Sequence, residues 1–140
     1  MGAAVGAVVP AAGDDGWLVA YAAGFGRLAP DGTVTPLAQP APPDVRMNDG
    51  KCDDLGRFWA GSMAWAKTPG RGSLYRLDPD GRLAVALEDV TISNGLAWAD
   101  GGATMFYIDT PTGRVDRFFV RAGGALTGRC LLYTSPSPRD

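Results

Sequence analysis

The sequence predicts an all-β protein built from repeated four-stranded units. Two Pro-Asp-Gly turns, at residues 30–32 and 79–81, lie 49 residues apart between short apolar runs. An asparagine pattern also returns, since Asn48 is followed 46 residues later by Asn94. Repeats of roughly 40–50 residues are typical of β-propeller blades, each of which is one four-stranded sheet. A propeller needs about four blades or more, so a chain of 140 residues would form part of one.

The first unit is predicted from a strand over residues 17–21 and a second strand over 26–28. The turn at 30–32 then leads into a strand over 33–37, because proline presets the turn and glycine accepts a positive φ. The proline-rich segment 39–44 is expected to connect two blades, since prolines cannot join a sheet ladder.

The second and third units repeat this order of short strands and turns. An aromatic strand opens each of them, followed by a turn and an alternating apolar run. The predicted strands cover residues 58–63, 72–77, 83–87, 105–108 and 113–120. Trp59, Trp98, Phe106 and Tyr107 are expected to pack between blades.

The segment 129–140 abandons the alternating pattern. It resembles the translated read-through of a sequencing adapter, and the alternative is a natural Ser/Pro-rich tail. We therefore expect residues 1–128 to be a fragment of a propeller domain and residues 129–140 to be a non-native tail. From about residue 130 onward, no contribution to packing is expected.

Composition narrows the function classes. The formal net charge of −2 argues against a nucleic-acid partner, which requires a basic patch. The sequence contains no run of 18 apolar residues, so no membrane span is predicted. The apolar residues at its start are not preceded by a basic residue, so a signal peptide is not predicted either. The two cysteines, Cys52 and Cys130, form neither a disulfide framework nor a metal-binding spacing, which favours a cytoplasmic location.

The two asparagines are candidate ligands, since each lies just before a predicted strand. A carboxamide oxygen is a hard, neutral ligand suited to Ca²⁺ or Mg²⁺ and tolerable for Zn²⁺. The chain contains no histidine, so any hydrolysis would depend on a metal-activated water and a carboxylate base. Arg46 offers a planar fork for a carboxylate or for sugar hydroxyls. Asn-Gly and Asn-Asp-Gly are also ordinary turn sequences, and the spacing alone fits turns without any function.

Four segments together resemble the gluconolactonase/regucalcin (senescence marker protein) family. They are residues 46–51, 56–63, 72–77 and 92–98, and the similarity runs from about Val5 to about Gly128. The resemblance implies a partial six-bladed β-propeller, with about two and a half to three blades present. It also implies hydrolysis of sugar lactones with one divalent cation (Ca, Zn or Mg) in the central channel. On this resemblance Asn94 is a metal ligand, while Arg46 and Asn48 bind the substrate.

The chain departs from the family pattern at three places. The family's metal site also uses a glutamate from a Gly-Glu-x-Pro segment and an aspartate that handles the proton, and neither motif occurs here. No catalytic residue is therefore assigned, and the isolated chain is expected to be inactive. Some animal members carry a substrate-binding glutamate where this chain has Trp65 and Ala66, so the specificity is expected to differ.

Two function classes remain open at this point. One is a metal-dependent lactonase, and the other is a propeller that binds calcium or a small ligand without turnover. The proton-handling aspartate in a longer version of the protein would discriminate between them. A protein-interaction propeller of the WD type is disfavoured, because its Gly-His signature needs a histidine.

Overall fold

A computed structural model describes residues 3–13 and 15–136, which form three four-stranded antiparallel sheets, each of strands consecutive in the chain. The first sheet contains β1 (Val5–Pro10), β2 (Trp17–Tyr21), β3 (Gly24–Leu28) and β4 (Val34–Ala38). The second contains β5 (Val45–Cys52), β6 (Phe58–Ala64), β7 (Gly72–Leu77) and β8 (Leu83–Val90). The third contains β9 (Ser93–Ala99), β10 (Thr104–Asp109), β11 (Arg114–Val120) and β12 (Leu126–Thr134). In the described ranges, no helix has the length and apolar character needed to cross a membrane.

The all-β class and the repeated four-stranded unit are confirmed. The sheets follow one another in a row, because β5 of the second sheet contacts β1 on one side and β9 on the other. The strands β1, β5 and β9 open their sheets, and the sequence analysis missed all three. The interpretation of Asn48 and Asn94 as residues of turns just before a strand is wrong, since they lie inside β5 and β9.

Two apolar clusters fill the spaces between the sheets. On β6 the side chains alternate between them, as the two-residue period of a strand requires: Phe58 faces the first sheet and Trp59 the third. The packing predicted for Trp59 is confirmed, since it is 0% exposed and its ring centroid lies 6.0 Å from that of Trp98. The first cluster contains Ala20, Phe25, Met47, Phe58, Ala60, Tyr75 and Leu77. The second contains Trp59, Leu74, Val90, Leu96, Met105, Tyr107 and Phe118.

The edge strand β12 corrects the expectation for the tail. It continues to Thr134 and pairs with β11 beyond residue 130, where Cys130 lies opposite Arg117 and Tyr133 opposite Val115. The expectation of no packing is therefore wrong for the backbone of 130–134. Strand addition at a sheet edge needs only free N–H and C=O groups, so it does not require an alternating sequence. The side chains of Leu131, Leu132 and Tyr133 stay exposed; a non-native origin for 129–140 stays a prediction, and residues 137–140 lie outside the described residues.

Candidate functional site

The first strand of every sheet carries one extra residue at the same place in its pairing. In β5, residues 48–49 oppose Gly61 alone, and in β9, residues 94–95 oppose Ile108 alone. In β1 the extra residue is Gly6. Such β-bulges bend a strand and redirect its side chains, and they are common beside active sites. Asn48 and Asn94 therefore occupy equivalent bulged positions of neighbouring sheets.

Asn48 joins these sheets and also holds Arg46. Its side-chain Nδ2 donates to the backbone carbonyl of Ser93 at 2.8 Å, directly before Asn94 in the chain. Nη1 of Arg46 donates to Oδ1 of Asn48 and to the carbonyl of Met47, both at 3.1 Å. The structure thus brings Arg46 and Asn48 into direct contact at the strand end that carries Asn94.

Asn94 presents one oxygen that the fold leaves available. Its Nδ2 donates to the hydroxyl of Thr110 at 3.0 Å, and Thr110 directly follows β10. This bond fixes which way the carboxamide points. Within the described residues Oδ1 makes no hydrogen bond, and the side chain is half-buried, so this neutral oxygen could reach a ligand.

Two carboxylates near these bulges accept hydrogen bonds from backbone N–H groups. Asp109 accepts hydrogen bonds from the N–H groups of Thr91 and Ile92, at 3.0 and 2.8 Å. Asp49 accepts one from its neighbour Gly50 at 2.9 Å. In residues 3–13 and 15–136, no group of three or more His, Cys, Asp and Glu residues could hold a metal ion. Since a hard cation takes about six to eight oxygen ligands, the described residues do not form a complete cation site.

A buried hydroxyl pair supports the strand that carries Asn94. The phenol of Tyr107 donates to Oγ of Ser93 at 2.7 Å, and Ser93 is fully buried. Burial raises the pKa of Tyr107 well above its ordinary value, although the Ser93 bond opposes the shift, so the phenol remains a neutral donor. A side chain at Gly61 would overlap Oγ of Ser93. The sequence analysis missed this support, whose only sequence signal is a glycine opposite the bulge.

Trp65 faces solvent beside the polar cluster formed by Arg46 and Asn48. The guanidinium carbon of Arg46 is 5.3 Å from the centroid of its ring, within the range of a cation–π contact. Its side chain is 54% exposed, in the turn that follows β6. The site therefore combines a guanidinium group, two carboxamides and one open aromatic face.

Curated relatives match parts of this chain. Regucalcin of Gallus gallus is 45% identical over 78 residues, which cover 52% of this chain and 26% of the relative. The 6-deoxy-6-sulfogluconolactonase of Pseudomonas putida is 38% identical over 87 residues, which cover 62% of this chain and 30% of the relative. The matched part of the chain thus spans between a quarter and a third of these relatives.

Solved structures share its fold over nearly the whole chain. A luciferin-regenerating enzyme superposes with a TM-score of 0.86 and 30% identity, covering 93% of this chain and 47% of that chain. The calcium-binding protein regucalcin from Agrobacterium tumefaciens superposes with a TM-score of 0.80 and 26% identity, covering 89% of this chain and 43% of that chain. The family described as SMP-30/Gluconolactonase/LRE-like region matches residues 1–138. The resemblance carried by the two asparagine motifs is confirmed, and the chain belongs to the SMP-30/gluconolactonase/LRE-like family.

Proposed function

We propose that this chain is part of a metal-dependent sugar-lactone hydrolase built as a six-bladed β-propeller. The observation that carries the proposal is the contact of Arg46 with Asn48 at one bulge, bonded to the strand that carries Asn94 at the equivalent bulge. Family membership supports the reaction class, and one relative is named as a lactonase. The three sheets would be three of the blades.

Arg46 and Asn48 would bind the lactone. Both hydrogen bonds of Arg46 within the described residues leave from Nη1, so Nη2 and Nε can still donate to a lactone or hydroxyl oxygen. Asn48 uses one proton of Nδ2 and one lone pair of Oδ1, and so retains one donor and one acceptor. These two side chains would fix the position of the substrate ring.

Asn94 would contribute its free carboxamide oxygen to one divalent cation, Ca²⁺, Zn²⁺ or Mg²⁺. Such a cation polarises a carbonyl and makes a bound water more acidic. One neutral oxygen is too little to hold it, so the other ligands and the proton-handling carboxylate would lie elsewhere in a longer protein. The 140-residue chain alone would then bind no cation tightly and hydrolyse no lactone.

A second candidate is binding of calcium or a small ligand without turnover. The Agrobacterium relative is titled a calcium-binding protein, and the carboxylates of Asp49 and Asp109 both accept backbone hydrogen bonds. This candidate would use the same carboxamides and guanidinium group. It differs from the first only in lacking the chemical step.

Turnover by a chain extended to the length of its relatives separates the two candidates. Hydrolysis of glucono-δ-lactone can be followed by acid release, with Ca²⁺, Zn²⁺ or Mg²⁺ added and with a chelator as the control. We expect cation-dependent hydrolysis by the extended protein, and no micromolar cation binding by residues 1–140 in calorimetry. Cation binding by the extended protein without turnover of any sugar lactone would instead support the second candidate.

A further inference from the structure

Trp65 has the exposure and position of a ligand-binding aromatic group. It belongs to neither apolar cluster, whereas Trp59, six residues earlier, is completely buried in one of them. A large aromatic ring that stays open beside a polar cluster contributes little to folding and offers a flat apolar surface. Such a surface suits a molecule with one apolar face and several polar edges.

We propose that Trp65 determines specificity by stacking against the C–H face of a cyclic sugar lactone. The identity of this ligand rests on the proposed function. The guanidinium of Arg46 lies 5.3 Å from the Trp65 ring centroid and contacts Asn48, so the aromatic face and the polar groups adjoin. One ring-shaped ligand can pack on the indole and accept a hydrogen bond from Nη2 or Nε of Arg46.

The turn that carries Trp65 is held in place before any ligand binds. The backbone N–H of Trp65 donates to the carbonyl of Asp44 at 3.0 Å. The carboxylate of Asp44 in turn accepts two hydrogen bonds from Arg71, at 2.8 and 2.9 Å. The N–H of Lys67 closes the turn on the carbonyl of Ala64 at 2.9 Å. A ligand therefore gains the aromatic contact without the entropic cost of ordering this turn.

The stacking contact favours rings over open chains. A pyranose-type ring presents several C–H groups in one plane, whereas an acyclic polyol must give up rotational freedom to do so. Both ligands present hydroxyl groups to Arg46 and Asn48. The distinctive contribution of Trp65 is thus a preference for the cyclic form, which is the form that a lactonase consumes and its product lacks.

An NMR titration of the 140-residue chain tests this role. The cyclic probe is glucono-δ-lactam, which keeps the ring and carbonyl of the lactone and resists hydrolysis, and the acyclic probe is sorbitol. The indole Nε1 signal of Trp65 and the carboxamide signals of Asn48 should shift together with the lactam. We expect Trp65→Ala to weaken lactam binding by about five- to tenfold, an amount typical of one aromatic contact, and Trp65→Phe to retain most of it.

Trp17→Ala is the matched control, because Trp17 is also exposed, at 38%, but lies on β2 of the first sheet. It should leave lactam binding unchanged. Lactam-induced shifts at Asn48, without shifts at Trp65 and with unaltered affinity in Trp65→Ala, would overturn the inference and leave the proposed function standing. Sorbitol binding as tightly as the lactam would also overturn it. If the lactam moves neither Arg46 nor Asn48 signals, the substrate-binding roles proposed for these two side chains fall, and the inference falls with them.

Discussion

Asn48 donates a 2.8 Å hydrogen bond from its side chain to the backbone carbonyl of Ser93, and so joins β5 to β9, the first strands of two neighbouring sheets. The same carboxamide accepts a hydrogen bond from Arg46. A residue proposed to bind substrate is therefore also a structural link between sheets. The geometry of the candidate site depends on how the second and third sheets pack.

Asn48→Ala should destabilise the fold measurably. It removes the acceptor of Arg46 and leaves the carbonyl of Ser93 without this donor, in a partly buried place. We expect the free energy of unfolding in urea to fall by about 1–3 kcal/mol, the usual cost of unpaired partners. Asn94→Ala is the control: among the described residues the Asn94 side chain donates only to Thr110, in an exposed hydrogen bond, so its effect should be smaller. Equal stability of Asn48→Ala and wild type would show that the link contributes nothing.

Gly61→Ala should be destabilising for a steric reason. A Cβ at this position would overlap Oγ and Cβ of Ser93, which the Tyr107 bond holds in place. Overpacking of this kind typically costs about 1–3 kcal/mol, measurable by thermal or urea unfolding. In the control Gly123→Ala, the added Cβ meets nothing within 4 Å, and no change is expected. If both variants have the same free energy of unfolding, Gly61 does not approach Ser93 as closely as described.

Asp53→Asn should weaken the second sheet more than most substitutions. The Asp53 carboxylate accepts from Nε of Arg57 at 2.6 Å and from the indole of Trp59 at 2.9 Å, and both of these side chains are buried. Removing the carboxylate charge leaves the buried guanidinium charge of Arg57 without its counter-charge, which typically costs about 3–5 kcal/mol. Asp80→Asn, in an exposed pair with Arg82, should change urea stability little. Similar urea midpoints for Asp53→Asn and Asp80→Asn would contradict the stabilising role assigned to the Asp53 carboxylate.

The sequence predicted β2 and β7 well because their apolar alternation and the nearby Pro-Asp-Gly turns act locally. The strand over 17–21 agrees with β2, and that over 72–77 agrees with β7. Strand β5 was missed because Asn-Asp-Gly has strong turn preferences, which a β-bulge opposite Gly61 accommodates within a strand. Strand β12 was missed because its pairing to β11 depends on backbone groups rather than on side-chain pattern.

Of the candidate site, the motifs identified Arg46, Asn48 and Asn94 as one group. The hydrogen bond between Asn48 and Ser93 could not be predicted, since it joins residues 45 positions apart through a backbone carbonyl. The supporting pair of Tyr107 and Ser93 was also not predictable, because it depends on how two sheets pack. Sequence motifs identify the residues that repeat between the four-stranded units, whereas the packing of the sheets determines which of their atoms form hydrogen bonds.

The two cysteines should differ in reactivity. Burial raises the pKa of the Cys52 thiol, and the nearby charge of Asp53 raises it further. Only the thiolate reacts, so Cys52 holds less of the reactive form near neutral pH and is also less accessible. Cys130 is exposed on β12. With a thiol reagent such as DTNB we expect one fast reaction at Cys130 and one slow reaction at Cys52, and the reverse order would show that β12 is not placed as described.

The substitution Arg46→Lys in the extended protein tests the central claim most directly. Lysine keeps the charge but loses the planar fork that contacts Asn48 and that we propose binds the substrate. We predict that kcat/KM for sugar lactones falls by an amount equivalent to about 1–3 kcal/mol, the range for a hydrogen bond to a charged group. Arg82→Lys, on the exposed turn of the second sheet, should leave kcat/KM unchanged. Unchanged kinetics of Arg46→Lys across several sugar lactones would contradict the account.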